Sequence, residues 1–222
     1  MLGVLLADPR RALHWSAALL AGGVLFCLLV WWTDARAVMQ EVDDAFLRLM
    51  RDIHWDPLTA IAKTMAFVGG AIVNWTIRAV VVVVLIRRRH WLHLTAFLLA
   101  VASSELLIGP LKTLFDRPRP SGSLMATSGA AFPSGHAVAA ATTAVGLVIV
   151  LLPPGHTRWV WERRAALYAS AMALSRTYLG AHWLSDVVAG GLLGAGVAIF
   201  WPAMLVDLRV RRLFRRERAP DG

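Results

Sequence analysis

The sequence predicts an all-α, polytopic membrane protein: six transmembrane helices in a single bundle, with an amphipathic interfacial helix beside them. Three observations predict it. Several apolar runs approach ~20 residues, the length a helix needs to cross a hydrocarbon core of about 30 Å. Mean hydropathy is +0.60 and only 17% of the 222 residues are charged, against about 25% in soluble domains. No alternation of apolar and polar residues over ~10-residue segments marks a closed barrel, the other structure that satisfies a backbone inside lipid.

Each element has its own justification. Arg10 and Arg11 precede the first span, Leu13–Trp32. Phe26–Trp32 offers no small-residue cleavage site, so the run reads as an uncleaved span and not as a signal peptide. Ala35–Asp56 is charged but places Val38, Val42, Ala45, Phe46, Leu49 and Ile53 at spacings of three and four. That is an amphipathic helix lying on the membrane surface or over the bundle mouth. Pro57–Ile86 is apolar over 30 residues, ~45 Å if straight and too long for one crossing. Gly69-Gly70 divides it into a short, partly inserted helix, Leu58–Val68, and a second span, Ala71–Ile86.

Trp91–Phe115 is the third span, with Gly109-Pro110 bending its last turns. Asp116–Phe132 is rich in Pro, Gly and Ser and reads as a loop. Ser134–Leu152 is the fourth span, stopped by Pro153-Pro154-Gly155. Arg158–Arg164 reads as a basic loop, Ala165–Leu179 as the fifth span and Trp183–Val206 as the sixth, before a basic tail. Gly190, Gly191, Gly194 and Gly196 would let a neighbouring helix approach the sixth span closely. No repeat or composition break appears, so residues 1–222 read as one domain.

The net charge of +9 does not point to nucleic acid, because the basic residues lie between spans. Arg10 and Arg11, Arg87–Arg89, the Arg158–Arg164 stretch and the six tail arginines from Arg209 to Arg218 all fall on one side. The segment after the first span instead carries Asp34, Glu41, Asp43, Asp44, Asp52 and Asp56. The positive-inside rule then puts the arginine-rich side and both termini in the cytoplasm of a cell-membrane protein. Trp15, Trp31, Trp32, Trp91, Trp159, Trp183 and Trp201 fall near span ends, as an interfacial belt would. Cys27 is the sole cysteine and forms no intrachain disulfide.

With six spans, the end of the third, the start of the fourth and the junction of the fifth and sixth share the outer face. They hold Lys112 and Arg119, then Ser134, Gly135 and His136, then Arg176, His182 and Asp186. Lys112, Arg119 and Arg176 are cations without acceptors, a setting for a multiply charged anion. The first N–H groups of the fourth span lie beside Ser134 and Gly135, and a helix N-terminus favours phosphate. Asp186, four residues after His182, can take the proton of one ring nitrogen and leave the other free to attack. Two histidines suit attack at phosphorus and protonation of the departing oxygen. No metal-ligand spacing and no P-loop accompany them. These residues therefore point to phosphoryl transfer through a phosphohistidine, with no metal and no cofactor.

Lys112-x6-Arg119-Pro120, Pro133-Ser134-Gly135-His136 and Ser175-Arg176-x5-His182-x3-Asp186 together resemble the signature of the type 2 phosphatidic acid phosphatase superfamily. The resemblance covers Lys112–Asp186 and includes every signature position. It implies that His182 is the nucleophile, Asp186 its orienting partner and His136 the general acid. Lys112, Arg119, Ser134, Gly135 and Arg176 would bind the phosphoryl oxygens. It further implies a hydrolase of lipid phosphates or diphosphates at the outer face, with undecaprenyl diphosphate the first substrate to consider. Phosphatidylglycerol phosphate and phosphatidic acid come next. A lipid-to-lipid phosphotransferase, and a scaffold or transporter that kept the fold, are the alternatives.

Other polar residues read more plainly. Arg78 and Glu105 lie at span depth and are expected to pair inside the bundle. Asp116 and Arg117 read as solvated or locally paired loop residues. His14, His54, His90, His93 and His156 fit no pattern and read as surface histidines.

Overall fold

The structure is a computed structural model and describes residues 5–217. Eight α-helices build it, and no strand occurs among the described residues. Helix α1 (Pro9–Trp31) starts where the Asp8 carboxylate accepts the Arg11 amide at 3.0 Å, with Pro9 at the first helical turn. A proline costs nothing there, since that N–H has no helical partner. Helix α2 (Thr33–Asp52) covers most of the amphipathic stretch and ends four residues before the expected Asp56, which opens α3. Helices α3 (Asp56–Val68) and α4 (Ala71–Arg87) separate at Gly69-Gly70, as expected, with a 49° bend between them. Asn74 stitches that break by donating its side-chain amide to the Gly69 carbonyl at 2.8 Å.

Helix α5 (Trp91–Phe115) continues through Pro110 and closes at Asp116, whose φ of 34° is left-handed. After the 116–134 loop come α6 (Gly135–Leu151), α7 (His156–Tyr178) and α8 (Leu184–Glu217). Two basic stretches differ from expectation. Arg158–Arg164 is the first half of α7 and not a loop. Arg158 Nε reaches Glu162 Oε1 at 2.8 Å, and the Arg163 and Arg164 guanidinium groups lie over the Trp159 and Trp161 rings. Arginine is a good helix former, and charge that is met along the helix does not end it. The tail likewise continues α8 as far as Glu217, and Arg218 lies outside the described residues.

Helices α1, α5 and α8 are each long and apolar enough to cross a bilayer, and α3 with α4 passes the same test as a bent pair. Length and composition thus mark three crossings among the described residues, or four if the bent pair is one span, against the six expected. Helix α6 is apolar but has 17 residues, about 26 Å of rise, and the charged start of α7 lowers its apolarity. The exterior suits lipid: Ile72 and Leu106 are 83% and 74% exposed, an arrangement that water penalises and hydrocarbon does not.

Helix α2 has two distinct faces. Its apolar stripe, Val38, Val42, Leu49 and Ile53, is exposed, whereas Asp43, Leu47 and Met50 are buried against the bundle. The period was legible in the sequence, but the docked side includes an acid. Asp43, read as one of the outer acids, is therefore a core residue.

Helix α8 packs on α1, α5, α6 and α7. A Cβ on Gly190 would stand 2.8 Å from the Ser134 carbonyl, and one on Gly194 2.5 Å from the Val138 carbonyl. Glycine at these two positions brings the start of α6 against the start of α8. Gly196 faces Leu20 of α1, while Gly191 has open space beside it. Helix direction then sets the rest. The C-terminal ends of α5 and α7 meet the N-terminal ends of α6 and α8 at one end of the bundle. At the opposite end Arg158 donates to the Leu5 carbonyl at 2.7 Å. His93 is buried there beside His90, ring centroids 5.2 Å apart, and is not a surface histidine.

Candidate active site

Every expected site residue lies at the end where α5, α6, α7 and α8 meet. Lys112 is in the last turn of α5, Gly135 and His136 open α6, and Arg176 is in the last turn of α7. Arg119 comes from the 116–134 loop, Ser134 stands just before α6, and Asp186 is in the first turn of α8. His182 precedes α8 and does not share its helix, yet its side chain still meets Asp186. Backbone bonds hold these parts together: the Ser134 amide donates to the Asp186 carbonyl at 3.0 Å.

The His182 ring is buried, with Nε2 3.1 Å from Arg119 Nη1. A guanidinium has donors only, so Nε2 is the acceptor and carries the lone pair. The ring proton then sits on Nδ1, which faces Asp186 Oδ2 at 3.5 Å and has no nearer partner. That separation is long for a hydrogen bond. Burial above all lowers the His182 pKa to about 4; the Asp186 carboxylate opposes the fall, and Arg119 and Arg176 add to it. The imidazole is consequently neutral near pH 7.

Around Nε2 the cations are held by neutral acceptors. Arg119 donates to the carbonyls of Gly129 (2.9 Å), Ser128 (2.9 Å) and Ala181 (2.7 Å). Lys112 donates to the Ala130 carbonyl, and Arg176 Nη1 lies 2.9 Å from Met125 Sδ. The 121–131 segment thus wraps over three positive charges without bringing a carboxylate to them. Ser134 is fully buried, but its hydroxyl neither caps α6 nor finds another partner. Beside it, the first N–H groups of α6 have no helical acceptor. Positive donors, free amides and an imidazole lone pair are together able to hold a phosphoryl group.

His136 stands against the α3–α4 break, where a Cβ on Gly69 would come within 3.3 Å of its ring. It lies within electrostatic reach of Arg176, His182 and Arg119. It also lines a cavity of about 230 Å³ with Arg78 and Glu105. Those two pair as expected, Nη1 to Oε1 at 2.6 Å, and Arg78 Nε donates to Thr143 Oγ1 at 2.9 Å. Among the described residues no three His, Cys, Asp or Glu side chains gather as a metal site.

Arg117 departs furthest from expectation. It is 2% exposed and bonds both Asp43 of α2 and Asp186 of α8. Trp183, expected at the interface, places its ring 5.5 Å from that guanidinium and donates Nε1 to the Pro118 carbonyl. Little in the local sequence separates Arg117 from Arg119, since each precedes a proline in one loop. The available signal was an acid on α2 at the docked side, which only the tertiary fold reveals.

A family model, the PAP2 superfamily, matches residues 93–209, more than half of the chain. The chain belongs to the PAP2 superfamily. The match takes in α5–α7 and most of α8, with every site residue named above, and leaves α1–α4 outside. Among relatives, an undecaprenyl-diphosphatase of Sulfolobus acidocaldarius is 37% identical over 67 residues, 30% of this chain and 30% of that protein. The chain therefore spans under a third of that relative's length. A decaprenylphosphoryl-5-phosphoribose phosphatase of Mycobacterium tuberculosis is 32% identical over 157 residues, 63% of this chain and 76% of that protein. The crystal structure of a transmembrane PAP2 type phosphatidylglycerolphosphate phosphatase from Bacillus subtilis superposes with a TM-score of 0.76 at 23% identity. It covers 90% of this chain and 98% of that one, and at that identity the likeness is one of PAP2 fold.

Proposed function

We propose that this chain hydrolyses a lipid phosphate or diphosphate at the outer face of the cytoplasmic membrane, through a phosphohistidine on His182. One observation carries the reading: the His182 Nε2 lone pair points at Arg119 among Lys112 and Arg176, with Nδ1 turned to Asp186. The whole chain acts as one six-crossing unit with both termini cytoplasmic. The opposed ends support this, with arginines gathered away from the site.

In the first step Nε2 attacks phosphorus, forming an N–P bond as the P–O bond to the lipid breaks. Lys112, Arg119 and Arg176 exchange neutral carbonyl and thioether partners for the equatorial oxygens, together with Ser134 and the Gly135 and His136 amides. Fixed donors of this kind stabilise charge where it develops. His136 gives its proton to the departing oxygen, and the dianionic substrate supplies the negative charge that favours a protonated His136. In the second step water attacks phosphorus, the N–P bond breaks, the water proton passes to His136 and phosphate leaves.

Two relatives are named for polyprenyl-linked substrates, which favours a polyprenyl lipid, undecaprenyl diphosphate first. Phosphatidylglycerol phosphate is the second reading, favoured by the fold match. Phosphate release from purified chain should be measured on a panel of both lipids and phosphatidic acid, with EDTA present. The expected result is release from the polyprenyl diphosphate at a rate EDTA leaves unchanged. A rate that depends on added divalent metal would refute the mechanism, and free phosphate separates hydrolysis from transfer to another lipid.

The pH profile gives a separate check. His182 must be neutral to attack, and its pKa lies at about 4 instead of 6.5. Its acid limb in kcat/KM is therefore expected near pH 4, with the neutral form already complete at pH 6.5. A limb from His182 at pH 6.5 or above would contradict the buried, neutral ring.

A further inference from the structure

Arg117 is a buried cation between two carboxylates that are themselves fully buried on different helices. Nη2 meets Asp43 Oδ2 at 2.7 Å and Nη1 meets Asp186 Oδ1 at 2.8 Å. Further bonds fix the group. Nη2 donates to Gln40 Oε1 at 2.7 Å and Nη1 to Ser185 Oγ at 2.6 Å. Asp43 in turn accepts the Ser185 amide at 2.8 Å and its hydroxyl at 2.6 Å. An ion pair that only joined α2 to the bundle could end anywhere on α8. This one ends on the carboxylate whose other oxygen accepts the Trp183 amide and faces His182 Nδ1.

We infer that Arg117 and Asp43 are positioning residues for the proposed reaction, and that α2 belongs to the site although it lies outside the family match. Asp43 aims Arg117, Arg117 holds and charge-balances Asp186, and Asp186 turns the His182 ring so that Nε2 faces substrate. The inference rests on the phosphatase reading above. Its physical basis is the cost of buried charge. Without Arg117, two carboxylates are buried with one counter-charge lost, and one of them must take up a proton. A proton on Asp186 removes the anion that steadies the positive phosphoimidazole. Without the Asp43 charge, Arg117 has Asp186 as its one carboxylate partner and weakens the pull of Asp186 on His182. The other charged groups within reach of Asp186 are Lys112 and Arg119, both on the substrate side.

The test uses the full chain in micelles as wild type, Asp43→Asn, Arg117→Lys and Arg117→Gln. Two quantities are read: kcat and KM across pH on a lipid diphosphate, and the His182 tautomer by nitrogen NMR of isotope-labelled histidine. Asp43→Asn and Arg117→Gln are expected to lower kcat by about 10–100-fold, the scale for partners of a reacting side chain, with KM within about twofold. In Arg117→Gln the His182 acid limb moves to lower pH, because a neutralised Asp186 no longer opposes the effect of burial, and Arg117→Lys recovers part of the rate. Both charge-removing variants reduce the population with the proton on Nδ1. Asp43→Asn is nearly isosteric and decides the matter should Arg117→Gln not fold. If the wild type hydrolyses lipid and folded Asp43→Asn keeps its kcat, pH profile and tautomer, positioning is overturned and the phosphatase reading stands. If the wild type hydrolyses no lipid phosphate while the tautomer shifts in Asp43→Asn, the phosphatase reading falls and the positioning role is upheld.

Discussion

His182→Ala is expected to lose lipid phosphate hydrolysis by a factor on the order of 10⁴–10⁶, the range for removing a nucleophile or its obligate partner. Alternatives near the site do not replace it. Asp186 is committed to Arg117 and the Trp183 amide, and His136 is held at the opening of α6 against the α3–α4 break. The fold should persist, because His182 lies in the link before α8 and makes its one close bond to Arg119. Protein level and thermal transition, measured beside turnover, separate lost chemistry from lost structure. Turnover near the wild-type rate in folded protein would remove His182 from the role of nucleophile.

Arg119→Ala is the second large effect, expected to lower kcat by about 10²–10³. Arg119 touches His182 Nε2 and lies within electrostatic reach of Lys112 and Arg176, so in the proposed reaction it would meet the charge on the trigonal phosphoryl group. Arg119→Lys should recover little. Lysine is a point charge and cannot span the Ser128, Gly129 and Ala181 carbonyls that fix the fork. A lysine variant within threefold of wild type, by steady-state kinetics on the same lipid, would show that charge alone matters at this position.

What was legible is that the candidate residues meet. Lys112, Gly135, His136, Arg176 and Asp186 sit in terminal turns of α5–α8, with Arg119, Ser134 and His182 in the adjoining links, so the order of spans put them at one end. The Gly69-Gly70 break and the Arg78–Glu105 pair were also readable, because glycine pairs interrupt helices and charges at span depth seek partners. Tertiary facts were not. The period of α2 was visible, but whether Asp43 or Val42 docks depends on what the bundle offers, and it offers Arg117. Basic stretches were set outside the spans although arginine supports helix, so the start of α7 and the end of α8 were placed wrongly. His93 illustrates the same limit: a histidine without a motif lies in the core at the far end of the bundle.

These features bear on one another through α8. Gly190 and Gly194 bring α6 close enough for the Ser134 amide to bond the Asp186 carbonyl. That single contact sets the distance between the α6 amides and the His182 link. Fold and site are thus joined at the same few residues, and the cationic cup depends on backbone proximity that larger side chains would prevent.

The most direct measurement is a chemical trap. Purified chain is mixed with a lipid diphosphate radiolabelled in its terminal phosphate, quenched in alkali during turnover and digested. The reaction described here leaves acid-labile, base-stable label on the peptide carrying His182, and none in His182→Ala. Turnover without that label, or label on any other residue, would contradict it.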